Sequence, residues 1–150
     1  MGVLVNGEWR DALPEDGASD GRFRRKDASF RNWVTASGDA GPSGEAGFKA
    51  ESGRYHLYVS YACPWAHRAL IFRALKGLTE HIDVSVVHPD MFDDGWTFAT
   101  DMPGATGDQL FGSAFLREIY QRAQPDVTGR VTVPILWDKD RGVIVSNESS

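Results

Sequence analysis

The chain has 150 residues, a formal net charge of −5 and one cysteine. That length suits a single domain with its own core, and a lone cysteine excludes an internal disulfide and fits a reducing compartment. The acidic balance argues against nucleic acid as a partner, and no run approaches the ~18 consecutive apolar residues that a membrane span needs. Met1 to Asn6 has neither the charged start nor the apolar stretch of a signal peptide. A cytoplasmic protein is expected.

Residues 1–54 read as an N-terminal extension, partly irregular. Gly, Asp, Ala and Ser dominate 16–20 and again 38–47, with the helix-hostile Gly41-Pro42 inside. The basic run Arg22 to Lys26 reads as a solvated segment. Phe30-Arg31-Asn32-Trp33-Val34 carries large apolar groups expected to dock on the folded body.

From Tyr55 the pattern turns regular, and 55–150 read as one α/β domain. Tyr55 to Val59 is a strand by its ring and β-branched content. Pro64 to Lys76 has apolar residues at helical spacing and stops at Gly77. Ile82 to Val87 is a second strand, and the helix between makes the pair parallel with a right-handed crossover. His88 to Gly112 is too long for an ordinary connection, and Trp96 and Phe98 suggest that it folds back over the body. Phe115 to Tyr120 begins a second helix that Pro125 limits. Val131 to Trp137 is a third strand interrupted by Pro134, and Val143 to Ser146 a fourth, antiparallel to it across a short turn. Ser146-Asn147-Glu148-Ser149-Ser150 opens like a helix cap. A domain seldom ends on the first turn of a helix, so an N-terminal fragment of a longer protein is expected.

The stretch that bears chemistry is Ser60-Tyr61-Ala62-Cys63-Pro64-Trp65-Ala66-His67-Arg68. Pro64 suits a first helical turn, which puts Cys63 where a strand hands over to a helix N-terminus. Unpaired N–H groups and the positive end of the macrodipole favour a thiolate there. The bland alternative is a small buried hydrophobe. Ala66 stands where a Cys-x-x-Cys pair would have its second sulfur, so an outside thiol must resolve any mixed disulfide. The four histidines lack metal-ligand spacing, and no metal site is expected. His67 reads as a packed structural histidine. Gly104-Ala105-Thr106-Gly107 lacks the spacing of a phosphate loop.

Strand, Cys-Pro, helix, strand, helix, a strand that starts at proline, strand and helix is the order of a thioredoxin-like fold, here with its last helix truncated. Five segments go further: Tyr61 to Arg68, Gly95-Trp96-Thr97-Phe98, Pro103 to Asp108, Gly129 to Pro134 and Ile144 to Ser150. Together they closely resemble the glutathionyl-hydroquinone reductases, the Xi class of glutathione transferases. The similarity runs from about Phe30 to the last residue.

That resemblance implies a glutathione-binding domain followed by an all-helical domain beyond this chain, in a homodimer with glutathione as co-substrate. It makes Cys63 the nucleophile that takes glutathione off a glutathionylated hydroquinone. It makes Pro134 a cis proline that exposes the Val133 N–H and C=O to the cysteinyl unit of glutathione. Glu148 and Ser149 match the pair that grips the γ-glutamyl end. Arg130 matches a charge partner for a carboxylate and Trp96 a packing wall. The hydroquinone pocket belongs to the absent half, so this piece alone is expected to show little or no reductase activity. A glutaredoxin-like protein deglutathionylase and a non-catalytic glutathione-binding module remain as other readings.

Overall fold

The structure, a computed structural model, describes residues 2–11 and 27–149. The Asp16–Asp20 and Arg22–Lys26 segments lie outside the described residues.

The main sheet is built on β3 (Tyr55–Val59), all five of whose residues are buried. α1 (Pro64–Leu75) carries the chain over to β4 (Asp83–Val86), which lies parallel to β3. α2 (Leu116–Ala123), β6 (Ile135–Asp138) and β7 (Val143–Ser146) follow, and the strand order is β4-β3-β6-β7. β6 pairs antiparallel with both β3 and β7. This is the expected sequence of elements up to the last strand. Among the described residues no helix follows β7.

α1 begins as its sequence dictates, with proline in the first turn. It ends on Gly77, whose φ of 67° is a left-handed conformation that glycine adopts without cost. The Gly77 N–H then reaches the Ala74 carbonyl and the Leu78 N–H the Arg73 carbonyl, which caps two of the last free acceptors. At the start of α2 the Glu118 carboxylate accepts the Phe115 N–H at 2.9 Å.

Two elements differ from expectation. Of the strand expected over 131–137 with its interruption at Pro134, only β6 (Ile135–Asp138) forms; 131–134, with the cis Val133–Pro134 peptide, are in no strand, and β5 (Gly129–Arg130) lies just before them. Pro134 has no N–H to continue a ladder. The N-terminal stretch holds β1 (Val3–Val5) and β2 (Glu8–Arg10), joined by Asn6-Gly7 with φ of 50° and 78°. Both central residues are in the left-handed region, as a tight hairpin turn requires. These strands form a second sheet in the order β2-β1-β5.

The rest of the N-terminal stretch covers the β7 edge. Asn32 N–H donates to the Val145 carbonyl, and Arg31 bridges to Ser146. Phe30 meets the ring of Tyr120 edge-on at 6.0 Å. Phe48 is fully buried with Tyr55 and Val145. Trp33 stays half-exposed.

One polar layer runs through the sheet. Tyr58 donates to Asp108, which also accepts the Leu110 and Ser113 N–H groups, so this carboxylate pins the long 88–112 segment onto β3. Burial opposes charge on Asp108, yet the backbone N–H donors outweigh it and hold the carboxyl below its usual range. His56, 2 % exposed, shares a 2.8 Å hydrogen bond with Ser85. Burial pulls its pKa down to about 4.

Candidate active site

Ser60 is fully buried at the end of β3 and turns the chain. Its carbonyl accepts the Cys63 N–H and its hydroxyl accepts the Ala62 N–H, both at 3.2 Å. Cys63 is thereby held extended (φ −101°, ψ 115°) as the N-cap of α1, with no side-chain capping bond. Its carbonyl takes the first helical hydrogen bond, from the His67 N–H at 3.0 Å. Cys63 is half-buried, and its sulfur lies 3.6 Å from the Val133 carbonyl oxygen.

Cys63, Trp96, Arg130 and Val133 line one cleft of about 160 Å³. Four of the residues singled out in the sequence are thus brought together from α1, the long loop, β5 and the segment before β6. Gly2, Trp65, Met91, Val131 and Thr132 complete the wall, and none of them was expected from the sequence. Trp96 is 9 % exposed, and its carbonyl accepts the Leu116 N–H at 2.9 Å, so the loop that bears it is tied to the start of α2.

Glu148 and Ser149 lie outside that cleft. Glu148 lines a separate one of about 210 Å³ between residues 31–34 and the β6–β7 ribbon. The Ser149 hydroxyl accepts a 2.7 Å hydrogen bond from the Arg68 guanidinium. Arg68 in turn stacks over the Trp65 ring at 5.2 Å. The two groups of site residues are therefore linked through one turn of α1, from Trp65 in the cleft wall to Arg68 to Ser149. Residues 147–149 are in no helix or strand, and Ser150 lies outside the described residues. Nothing local in the sequence marked Arg68, whose partner Ser149 lies 81 residues along the chain.

His67 is a correction. It is exposed, because α1 turns Ala66 to the sheet instead. Among the described residues no three His, Cys, Asp or Glu side chains are grouped to hold a metal. No helix among them is long and apolar enough to cross a membrane.

The family described as glutathione S-transferase, N-terminal domain, matches residues 62–150. The chain belongs to that family. The chain is 55 % identical over 150 residues to the glutathionyl-hydroquinone reductase YqjG of Escherichia coli K12, with all of this chain and 46 % of the relative covered. The glutathione-bound structure of YqjG superposes with a TM-score of 0.84 at 53 % identity, over 97 % of this chain and 42 % of that one. A Xi class transferase from Natrialba magadii superposes with a TM-score of 0.81 at 50 % identity, over 99 % of this chain and 42 % of that one. The chain thus has the thioredoxin-like fold of these proteins, and it spans less than half the length of the curated relatives it matches.

Proposed function

We propose that this chain is the glutathione-binding part of a glutathionyl-hydroquinone reductase, and that Cys63 is its nucleophile. One observation carries the reading: the Cys63 sulfur sits 3.6 Å from the Val133 carbonyl, in the cleft that Trp96 and Arg130 also line. An extended peptide paired with the Val133 backbone would deliver its own cysteinyl sulfur to Cys63. Arg130 is on hand for a carboxylate of that peptide and Trp96 for packing its apolar part. In this reading Glu148 and Ser149 receive the γ-glutamyl end beyond the cleft, with Arg68 orienting the Ser149 hydroxyl.

The chemistry balances with one sulfur. The Cys63 thiolate attacks the glutathione sulfur of the thioether, an S–S bond forms, and the C–S bond to the ring breaks. The ring carbon keeps the bonding pair and takes a proton, which reduces it. A second glutathione thiolate then attacks the glutathionyl sulfur of the mixed disulfide, giving oxidised glutathione and free Cys63 thiolate. The thioether sulfur and one glutathione thiol are oxidised to the disulfide as one ring is reduced, and that thiol supplies the balancing proton. Residues 55–150 form the glutathione-binding unit, and glutathione is a co-substrate. The single cysteine fits a cytoplasmic setting. A homodimer with a helical second half completes the proposal for the whole protein.

The test compares rates on glutathionylated menadiol and on a glutathionylated peptide in the full-length protein. Faster turnover of the menadiol adduct is expected. A preference for the peptide would make the protein a deglutathionylase instead, and turnover of neither would leave a binding module.

A further inference from the structure

We propose that the β1–β2 hairpin is a positioning element of the glutathione cleft, and that Trp9 is its key residue. The inference rests on the proposed function only for what the cleft binds. β1 pairs directly with the strand that carries Arg130: Val3 stands opposite Arg130 and Leu4 opposite Gly129. Gly2, the residue before β1, lines the cleft together with Cys63.

The other arm supports Trp96. The same edge of the Trp9 ring, Cζ2 and Cη2, lies against two glycines, and no side chain fits between ring and backbone at either. A Cβ on Gly2 would collide with the Trp9 ring, and one on Gly95 would lie 2.8 Å from it. Gly95 is the residue immediately before Trp96. Arg117 clamps the same spot, its guanidinium 5.1 Å from the Trp9 ring centre. Arg117 also donates to the Asp94 carbonyl at 2.7 Å and pairs with the Asp94 carboxylate at 3.0 Å. The Asp94-Gly95-Trp96 turn is therefore held from behind by Trp9 and Arg117.

The hairpin is itself fastened to the body at its turn. Gly7 N–H donates to the Val127 carbonyl at 2.9 Å, the Gln121 amide donates to the Gly7 carbonyl at 2.7 Å, and Asn6 N–H donates to the Thr128 hydroxyl at 2.9 Å. Leu4 is 1 % exposed within the main core. A segment anchored this way transmits a fixed geometry to Arg130 through backbone pairing and to the turn before Trp96 through the ring's contact with Gly95. A shift of a fraction of an ångström in either would misplace the bound tripeptide before it affected the sulfur chemistry.

The test uses Trp9→Ala, Trp9→Phe and Arg117→Gln in the full-length protein, with steady-state kinetics and hydrogen exchange of peptides covering 92–98 and 129–133. Trp9→Ala is expected to raise KM for glutathione roughly tenfold while kcat changes less than about twofold. Exchange should rise in both peptides, Trp9→Phe should recover most of the loss, and Arg117→Gln should reproduce the change in 92–98. A fall in kcat with KM unchanged would mean loss of folded enzyme rather than of positioning. That result, or unchanged exchange in both peptides, would overturn the inference. Raised exchange in a protein whose wild type never engages glutathione would instead sink the proposed function and leave the positioning role standing. If Trp9→Ala does not fold, Arg117→Gln decides alone, since glutamine keeps an amide donor at that position.

Discussion

The Cys63 sulfur and the Val133 carbonyl oxygen face each other at 3.6 Å across the mouth of the cleft, from segments 70 residues apart in the chain. If that sulfur carries the exchange, Cys63→Ala should reduce turnover of a glutathionylated hydroquinone to background. Cys63→Ser should still bind glutathione, since backbone and charge contacts remain. Calorimetry on Cys63→Ser and rate assays on Cys63→Ala check the two halves separately. Appreciable turnover by the alanine variant would contradict the assigned nucleophile.

Arg68 joins the two parts of the site, with the Ser149 hydroxyl at 2.7 Å on one side and the Trp65 ring at 5.2 Å on the other. Arg68→Ala is expected to weaken glutathione binding by roughly tenfold, about the value of one well-made hydrogen bond. Arg68→Lys should restore only part of it, because an ammonium cannot both stack flat on an indole and reach the hydroxyl. Titration of the three proteins with glutathione would show this order. Equal affinities would mean that Arg68 serves α1 alone.

The elements that could be read from the chain are those with local grammar. Tyr55–Val59 and Val143–Ser146 are bounded exactly as their β-branched runs and turns suggest, and Cys63-Pro64 marks the helix start. The hairpin was missed in what read as an irregular extension: Asn6-Gly7 is a turn signal, but arms of three residues show too little alternation to stand out. Their partner Gly129–Arg130 lies far along the chain, so nothing local announced the pairing. The same holds for the Arg68–Ser149 contact, 81 residues apart. His67 was misplaced for another reason. Apolar residues run round much of α1, with Trp65, Ile71, Phe72 and Leu75 all exposed, so periodicity alone did not say which side meets the sheet.

Asp138 is fully buried and takes both oxygens to Arg54, from Nε at 3.0 Å and the terminal nitrogen at 2.6 Å. It also accepts the Asp140 and Arg141 N–H groups of the β6–β7 turn. Burial is the largest single influence and opposes its charge, but the Arg54 hydrogen bonds, the Arg141 and Asp140 N–H groups and the Arg54 charge together outweigh it, so the carboxyl sits below its ordinary range. Asp138→Ala leaves a guanidinium and two turn amides short of an acceptor and is expected to cost about 3 kcal/mol. Urea unfolding measures it. A loss below about 1 kcal/mol would show that Glu51, 3.0 Å from the same guanidinium, takes over.

Stability should also fall with acid before any exposed carboxylate titrates. Burial lowers the His56 pKa from 6.5 to about 4, against the opposing pull of the Asp83 and Asp108 carboxylates. The unfolded chain therefore binds this proton more tightly than the folded one. Its contribution is fully present above the unfolded value and drains away as pH falls from about 6.5 to about 4. Between pH 7 and pH 4.5 the expected loss is roughly 2 kcal/mol from this group alone. Asp138 and Asp108, both depressed, add losses of the same sign at lower pH. His56→Gln keeps a hydrogen-bonding group beside Ser85 and removes the titration, so its unfolding midpoint should change less than that of the wild type over this interval. Parallel pH profiles for the two proteins would mean that the acid loss comes from elsewhere.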